Sequence, residues 1–197
     1  MNRKEFVRDS LRQSAWVKEK IEKLCSDDIL DSAEKLTEVF RAGKKLLICG
    51  NGGSAADSQH IAAEFMIRLS RDLDRPALPA IALTTDTSNL TAGGNDIGFE
   101  NVFARNVEGL GNSGDALLVI STSGSSKNLI KAVSKAKEKK MVTFGFLGGS
   151  GGELAGLVDK KIIVPSENTQ RIQEGHITIA HIVCEIVERS LFDDSLQ

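Results

Sequence analysis

The stretch "KKLLICGNGGSAADSQHIAAEF", residues 44–65, changes character twice. It opens as a short, nearly continuous apolar run and passes through a loop of small residues, Gly50-Asn51-Gly52-Gly53-Ser54. It then continues into a helical pattern that carries His60 and Glu64. A continuous apolar run, as opposed to an alternating one, marks a strand buried on both faces, the signature of a parallel sheet covered by helices. Runs of the same kind recur in "LPAIALTT" at 78–85, "DALLVIS" at 115–121, "MVTFGFLG" at 141–148 and "KKIIVP" at 160–165. Helical stretches, such as residues 126–140, lie between them. The pattern predicts an α/β fold built on a doubly wound, five-stranded parallel sheet.

The flanks of this core read as helices. Val7, Leu11, Ser14, Val17, Ile21 and Leu24 recur at three- and four-residue steps along one helical face. "SDD" at 26–28 then looks like an N-cap with an acidic first turn. Ile29, Leu30, Ala33, Leu36, Val39 and Phe40 line a second helix that ends at Gly43, a residue suited to a left-handed C-terminal position. Two N-terminal helices are therefore expected. A long C-terminal helix is expected from Thr169 to about Leu191, with Ile172, Ile179, Ile182, Val183, Ile186 and Val187 as its apolar side. "LSRDLDRPALP" at 69–79 is the most loop-like insertion. No repeat or linker interrupts the chain, so residues 1–197 read as one domain that includes the helical pair at 1–42.

Bulk properties exclude several functions. The chain has 41% hydrophobic and 26% charged residues, as soluble globular proteins do. Its 25 basic and 27 acidic residues give a net charge of −2, which offers no electrostatic case for nucleic acid. No apolar run is long enough for a membrane span and no basic-then-apolar leader opens the sequence, so a cytoplasmic location is expected. Cys25, Cys49 and Cys184 are widely separated and fit buried reduced thiols better than a disulfide framework or a metal knot.

Ligands of open parallel α/β sheets bind beyond the carboxyl ends of the strands. Two such ends are rich in small polar residues: Asn51-Gly52-Gly53-Ser54 after the first strand and Ser121-Thr122-Ser123-Gly124-Ser125-Ser126 after the third. Hydroxyls and free backbone N–H groups at a helix N-terminus suit a phosphate. No Gly-Lys-Ser/Thr follows, so neither loop is a nucleotide P-loop. Gly50, Gly52 and Ala55 satisfy G-x-G-x-x-A, but the acidic residue that should end the next strand is missing. Asp72 and Asp74 come too early, and no nucleotide cofactor is expected. His60 and Glu64, four apart, share a helix face. The other histidines, His176 and His181, lie on the C-terminal helix, and a second imidazole beside His60 and Glu64 would make either a metal site or an acid/base couple.

Four motifs, "GNGGSAADSQHIAAEF", "TTDTSNLTAGGNDIGFENVF", "GDALLVISTSGSSKNLIKA" and "RIQEGHITIAHIVCEIVE", in this order and over essentially the whole chain, resemble the phosphoheptose isomerases of the sugar-isomerase (SIS) domain superfamily. The resemblance implies a flavodoxin-like sheet, a homotetramer with interfacial active sites, and conversion of sedoheptulose 7-phosphate to D-glycero-D-manno-heptose 7-phosphate for lipopolysaccharide core or related glycans. It puts the catalytic glutamate at Glu64 and the catalytic histidine at His181. It puts substrate contacts at Asn51, Gly52, Gly53, Glu64, Asn95, Asp96, Ser121, Thr122, Ser123, Ser126 and Gln173, and zinc on His60, Glu64, Gln173 and His181. Gln173 and His181 are eight residues, about 12 Å, apart on one helix. They reach one metal only by leaning together or by coming from different subunits. Gln170 stands where some relatives carry an aspartate. A non-catalytic superfamily relative that binds the bacterial replication initiator is the alternative from another class, and an isomerase of another phosphosugar is a third. The carboxylate at Glu64 and imidazole at His181 favour the heptose isomerase.

Overall fold

The apolar runs become the strands of a single sheet in the computed structural model, which describes residues 2–193. They are β1 (Leu46–Gly50), β2 (Ala80–Ala82), β3 (Ala116–Ser121), β4 (Val142–Gly148) and β5 (Lys160–Val164). All neighbours pair in parallel, in the order β2-β1-β3-β4-β5. β2 is the run that shrinks most. Pro79 precedes its three residues, and on the open edge of the sheet Ile81 is exposed.

The helices are α1 (Arg3–Arg41), α2 (Gly53–Met66), α3 (Thr87–Asp96), α4 (Phe99–Leu110), α5 (Lys127–Glu138) and α6 (Thr169–Phe192). Two apolar layers sandwich the sheet. On one face Leu46, Ile48, Leu118, Ile120, Phe144 and Phe146 meet α1, α2 and α6. On the other, Leu47, Cys49, Leu117, Val119 and Leu147 meet α4 and α5. The alternation of β1 between the two layers explains why its run is continuously apolar. The three cysteines are free and buried. Among the described residues, no helix is long and apolar enough to cross a membrane.

The expected pair of N-terminal helices is one helix of 39 residues. Asn2 and Glu5 form a capping box at its start. No glycine or proline interrupts it before Gly43, which takes φ +70 just past its end. The Ser26 hydroxyl, read from sequence as a cap, donates instead to the Glu22 carbonyl of its own helix. Val17, Ile21, Cys25, Ile29, Ala33, Leu36 and Phe40 carry one buried stripe straight across the supposed break. At 1.5 Å per residue this helix is about 58 Å long, roughly twice the span of a small domain. Its first turns therefore leave Phe6, Val7, Leu11 and Trp16 exposed, and Leu24 and Leu30 are exposed further along.

α6 carries a histidine that belongs to the core. His176 is buried, and its Nε2 donates to the Leu147 carbonyl at 2.9 Å. Burial lowers the imidazole from 6.5 to about 4, against the pull of that carbonyl. Between these two values the unfolded chain binds a proton that the folded chain refuses, so stability falls as pH falls through this window. The parent's advantage in Tm over His176→Gln should accordingly shrink as pH is lowered from about 7 to about 5. An advantage that stays constant over that range would remove His176 as a source of acid sensitivity.

Candidate active site

β1 and β3 are adjacent, but the helices that follow them leave to opposite faces, α2 into one core layer and α5 into the other. This is the switch point of a doubly wound sheet, where a crevice opens beyond the strand ends. Both small-residue loops lie there. The Asn51 and Asn128 amides tie them together by reciprocal hydrogen bonds of 3.0 and 2.8 Å. Asn51 thus spends its side chain on loop geometry.

Gly52 takes φ +56 as the N-cap of α2, a conformation costly for any residue with a Cβ. In the other loop Ser121 is buried and its Oγ accepts from the Gly124 N–H at 3.0 Å. Gly124 has φ +64, and a Cβ there would meet the Gly151 carbonyl at 1.9 Å, so only glycine lets the loop close against residues 151–152. Thr122 is half-buried and Ser123 exposed, with the Ser123 Oγ accepting from the Ser125 N–H at 3.3 Å. Ser126 is the N-cap of α5, and its hydroxyl makes no cap hydrogen bond.

α2 and α6 pack side by side on the sheet and run in the same direction, with Gly53 opposite Gln173 and His60 opposite His181. His60 Nε2 lies 2.9 Å from Glu64 Oε1 and 3.4 Å from His181 Nε2, with the two rings edge to face at 5.1 Å. The His60 side chain is 45% exposed and that of Glu64 19%. Zinc bonds of about 2.0–2.1 Å in a tetrahedron hold neighbouring ligand atoms about 3.3 Å apart. The donor atoms of His60, Glu64 and His181 all fall within 4.8 Å of one another. Two imidazoles and a carboxylate at this spacing fit a zinc ion with a position left open.

Gln173 stands apart from that cluster. Its amide lies against Gly53, where a Cβ would come within 2.6 Å of Nε2. Seven residues of helix, about 10 Å, separate Gly53 from His60. Within this chain Gln173 therefore joins the loop region. Asn95 and Asp96 sit on the last turn of α3, exposed, with the Asn95 amide donating to Asp96 at 2.7 Å. Their side chains bond each other in preference to the remaining site residues.

Four residues here escaped the sequence reading. Asn128 follows the serine loop directly and could have been suspected from "SSKNL". Asp57, one turn before His60, has a buried carboxylate oxygen without a hydrogen-bond partner, and burial pushes its carboxyl up against the pull of His60. Arg75 and Glu188 form an ion pair with side chains 0% and 1% exposed. They are far apart in sequence, and no local pattern joins them.

Comparison with known proteins identifies the family and the fold. The SIS domain family matches residues 11–148. A phosphoheptose isomerase of Roseiflexus sp. (strain RS-1) is 56% identical, over 96% of this chain and 95% of its own length. Two solved phosphoheptose isomerase structures superpose closely. The Neisseria gonorrhoeae protein does so with TM-score 0.89 and 41% identity, over 94% of this chain and 98% of that one. The Francisella tularensis protein does so with TM-score 0.92 and 36% identity, over 96% and 100%. With its sheet order, its paired strand-end loops and its full-length likeness to these enzymes, the chain belongs to the phosphoheptose isomerases of the SIS-domain family.

Proposed function

We propose that this isomerase moves the carbonyl of sedoheptulose 7-phosphate from C2 to C1, giving D-glycero-D-manno-heptose 7-phosphate, with Glu64 and His181 as its acid/base pair. The observation that carries this reading is the convergence of His60, Glu64 and His181 from two helices on one point. An aldose–ketose shift needs one base to take a proton from C1 and return it to C2. A carboxylate placed as Glu64 is suits that transfer. A second group must move the proton between the two oxygens of the enediol, and imidazole exchanges protons in the useful range. His60, Glu64 and His181 would hold zinc. Bound there, zinc would polarise the carbonyl as a Lewis acid.

The strand-end loops would take the phosphate end. Ser121 shapes its loop, Thr122 and Ser123 offer hydroxyls, and the uncommitted Ser126 hydroxyl stands at the start of α5. Gly52 and Gly53 open α2 without a side chain, and Asn51 fixes the loops relative to each other. Gln173, lying on Gly53, supports a substrate contact better than a metal bond within the same chain. Asn95 and Asp96, exposed on α3, are assigned to the sugar hydroxyls. The loop and the cluster are about 10 Å apart along α2, comparable to an extended seven-carbon sugar phosphate. Binding energy gained at the phosphate then positions the reacting end.

The reading extends to a cytoplasmic homotetramer with sites at subunit contacts, each chain one SIS domain, serving lipopolysaccharide core or a related glycan. The exposed Phe6, Val7, Leu11, Leu24 and Leu30 of α1 and Ile182 of α6 support it, since so many large apolar side chains are rarely left to water.

Turnover of sedoheptulose 7-phosphate tests the reading directly. Glu64→Gln and His181→Ala should each lower kcat by about 100- to 10,000-fold with the fold intact by circular dichroism. Near-parental kcat in either variant would remove that residue's role. Activity lost on chelation and restored by zinc would show that turnover needs the metal, whereas indifference to both would leave a metal-free acid/base pair. Ser126→Ala should raise KM several-fold, by about 1 kcal/mol of binding, with little change in kcat. An unchanged KM would count against the phosphate loop.

A further inference from the structure

The segment between α2 and β2, residues 67–79, has neither helix nor strand, yet it completely buries the side chain of an arginine. Every N–H of the Arg75 guanidinium has a partner. Nε donates to Glu188 Oε1 at 2.8 Å, and Nη2 donates to the same oxygen and to the Glu64 carbonyl at 2.8 Å. Nη1 donates to the carbonyls of Phe65 and Pro76, both at 2.9 Å. Glu188 is equally occupied, accepting from the Leu69 N–H at 3.0 Å and the Ser70 N–H at 3.3 Å.

Two of these contacts bear on the site. The carbonyls of Glu64 and Phe65 belong to the last turn of α2, where a helix leaves carbonyls without partners of its own and where a cation is favoured. Glu188 lies on α6 seven residues, two turns, beyond His181 and so on the same side of that helix. One guanidinium therefore bonds the backbone of Glu64 and the helix that carries His181.

We infer that Arg75 and Glu188 are positioning residues, whose buried ion pair fixes the separation of Glu64 on α2 from His181 on α6. This rests on the acid/base reading of Glu64 and His181 given above. A buried pair is a poor device for stability alone, because apolar residues of similar volume commonly do as well or better. Its directional bonds are suited to holding two helices in register. An acid/base pair needs that register, because a displacement of about 1 Å costs about 100-fold in rate.

The test is the double variant Arg75→Met with Glu188→Met, which removes both charges and keeps the volume. It should remain folded with a lowered Tm, because the carbonyls of Glu64, Phe65 and Pro76 and the N–H groups of Leu69 and Ser70 lose their side-chain partners. Its kcat should fall about 100-fold while KM for sedoheptulose 7-phosphate stays within about twofold, because the phosphate loops are untouched. A folded double variant with parental kcat, or with raised KM and unchanged kcat, would overturn the inference. Should the double variant fail to fold, Arg75→Lys decides by the same split, since lysine keeps the charge and loses the five-bond fork. Lowered kcat at held KM supports positioning, and any other pattern overturns it. Glu64→Gln, assayed alongside, separates the two levels. An active Glu64→Gln sinks the acid/base reading, and an inactive one beside a fully active Arg75 variant sinks the positioning role alone.

Discussion

Adjacent parallel strands whose following helices must go to opposite faces cannot close the space between their ends, and that constraint at β1 and β3 organises this molecule. The chain leaving β1 turns into the layer of α1, α2 and α6, and the chain leaving β3 turns into the layer of α4 and α5. The gap left between the turns is lined by backbone. The sequence keeps it so with glycines: a Cβ on Gly50 would meet the Ser54 carbonyl at 2.6 Å, and one on Gly124 would strike Gly151. The Asn51–Asn128 pair then bridges the gap and makes two turns from opposite faces into one structure. Any ligand held there is held by elements anchored in both cores.

What was legible in the sequence followed from how far apart the cause and its effect lie along the chain. Continuous apolar runs report burial on both faces, which is decided residue by residue, and all the strands were found within a few residues of their ends. Gly43 announced its left-handed turn for the same local reason. The supposed break at Ser26 failed because a serine side chain has two local options, capping a new helix or bonding back into the old one. The choice depends on whether the buried stripe continues, and Cys25, which fills that stripe, had not been counted as part of it. α3 buries no residue, so no hydrophobic period fixes its bounds within the stretch between the second and third strands. His60 and Glu64 could be paired from spacing alone. Their meeting with His181 could be supplied only by resemblance, because spacing says nothing about which helices touch.

Arg75 and Glu188 mark the opposite extreme. "RDLDRPALP" has the look of a solvated loop, and its local composition gives no hint that one of its arginines is sealed from water. The partner carboxylate sits on α6 in a stretch, "VCEIVE", that reads as an amphipathic helix with a wet side. Desolvating two charges is expensive, and the structure offsets that cost with hydrogen bonds at every guanidinium N–H and at both carboxylate oxygens. Such saturation makes the pair rigid. It also gives an otherwise irregular segment one fixed point between α2 and β2.

Rigidity along α2 and α6 leaves the solvent side of the cluster to be dealt with. Carbon-acid chemistry is favoured when water is excluded around the base, and in a single chain the Glu64 side chain is still 19% exposed and the His60 side chain beside it 45%. The same chain carries a helix whose first turns run beyond its buried stripe, with Phe6, Val7, Leu11 and Trp16 bare on the overhang. An enzyme that needed only its own fold could have ended α1 near Val17, where burial begins. In the tetramer proposed above, the overhang would offer apolar surface for subunit contact, and a neighbouring subunit over α2 and α6 would supply the cover that the cluster lacks. With such cover, assembly and the drying of the active site would be one event, because the isolated chain already brings its reacting groups together and leaves only their solvent side open.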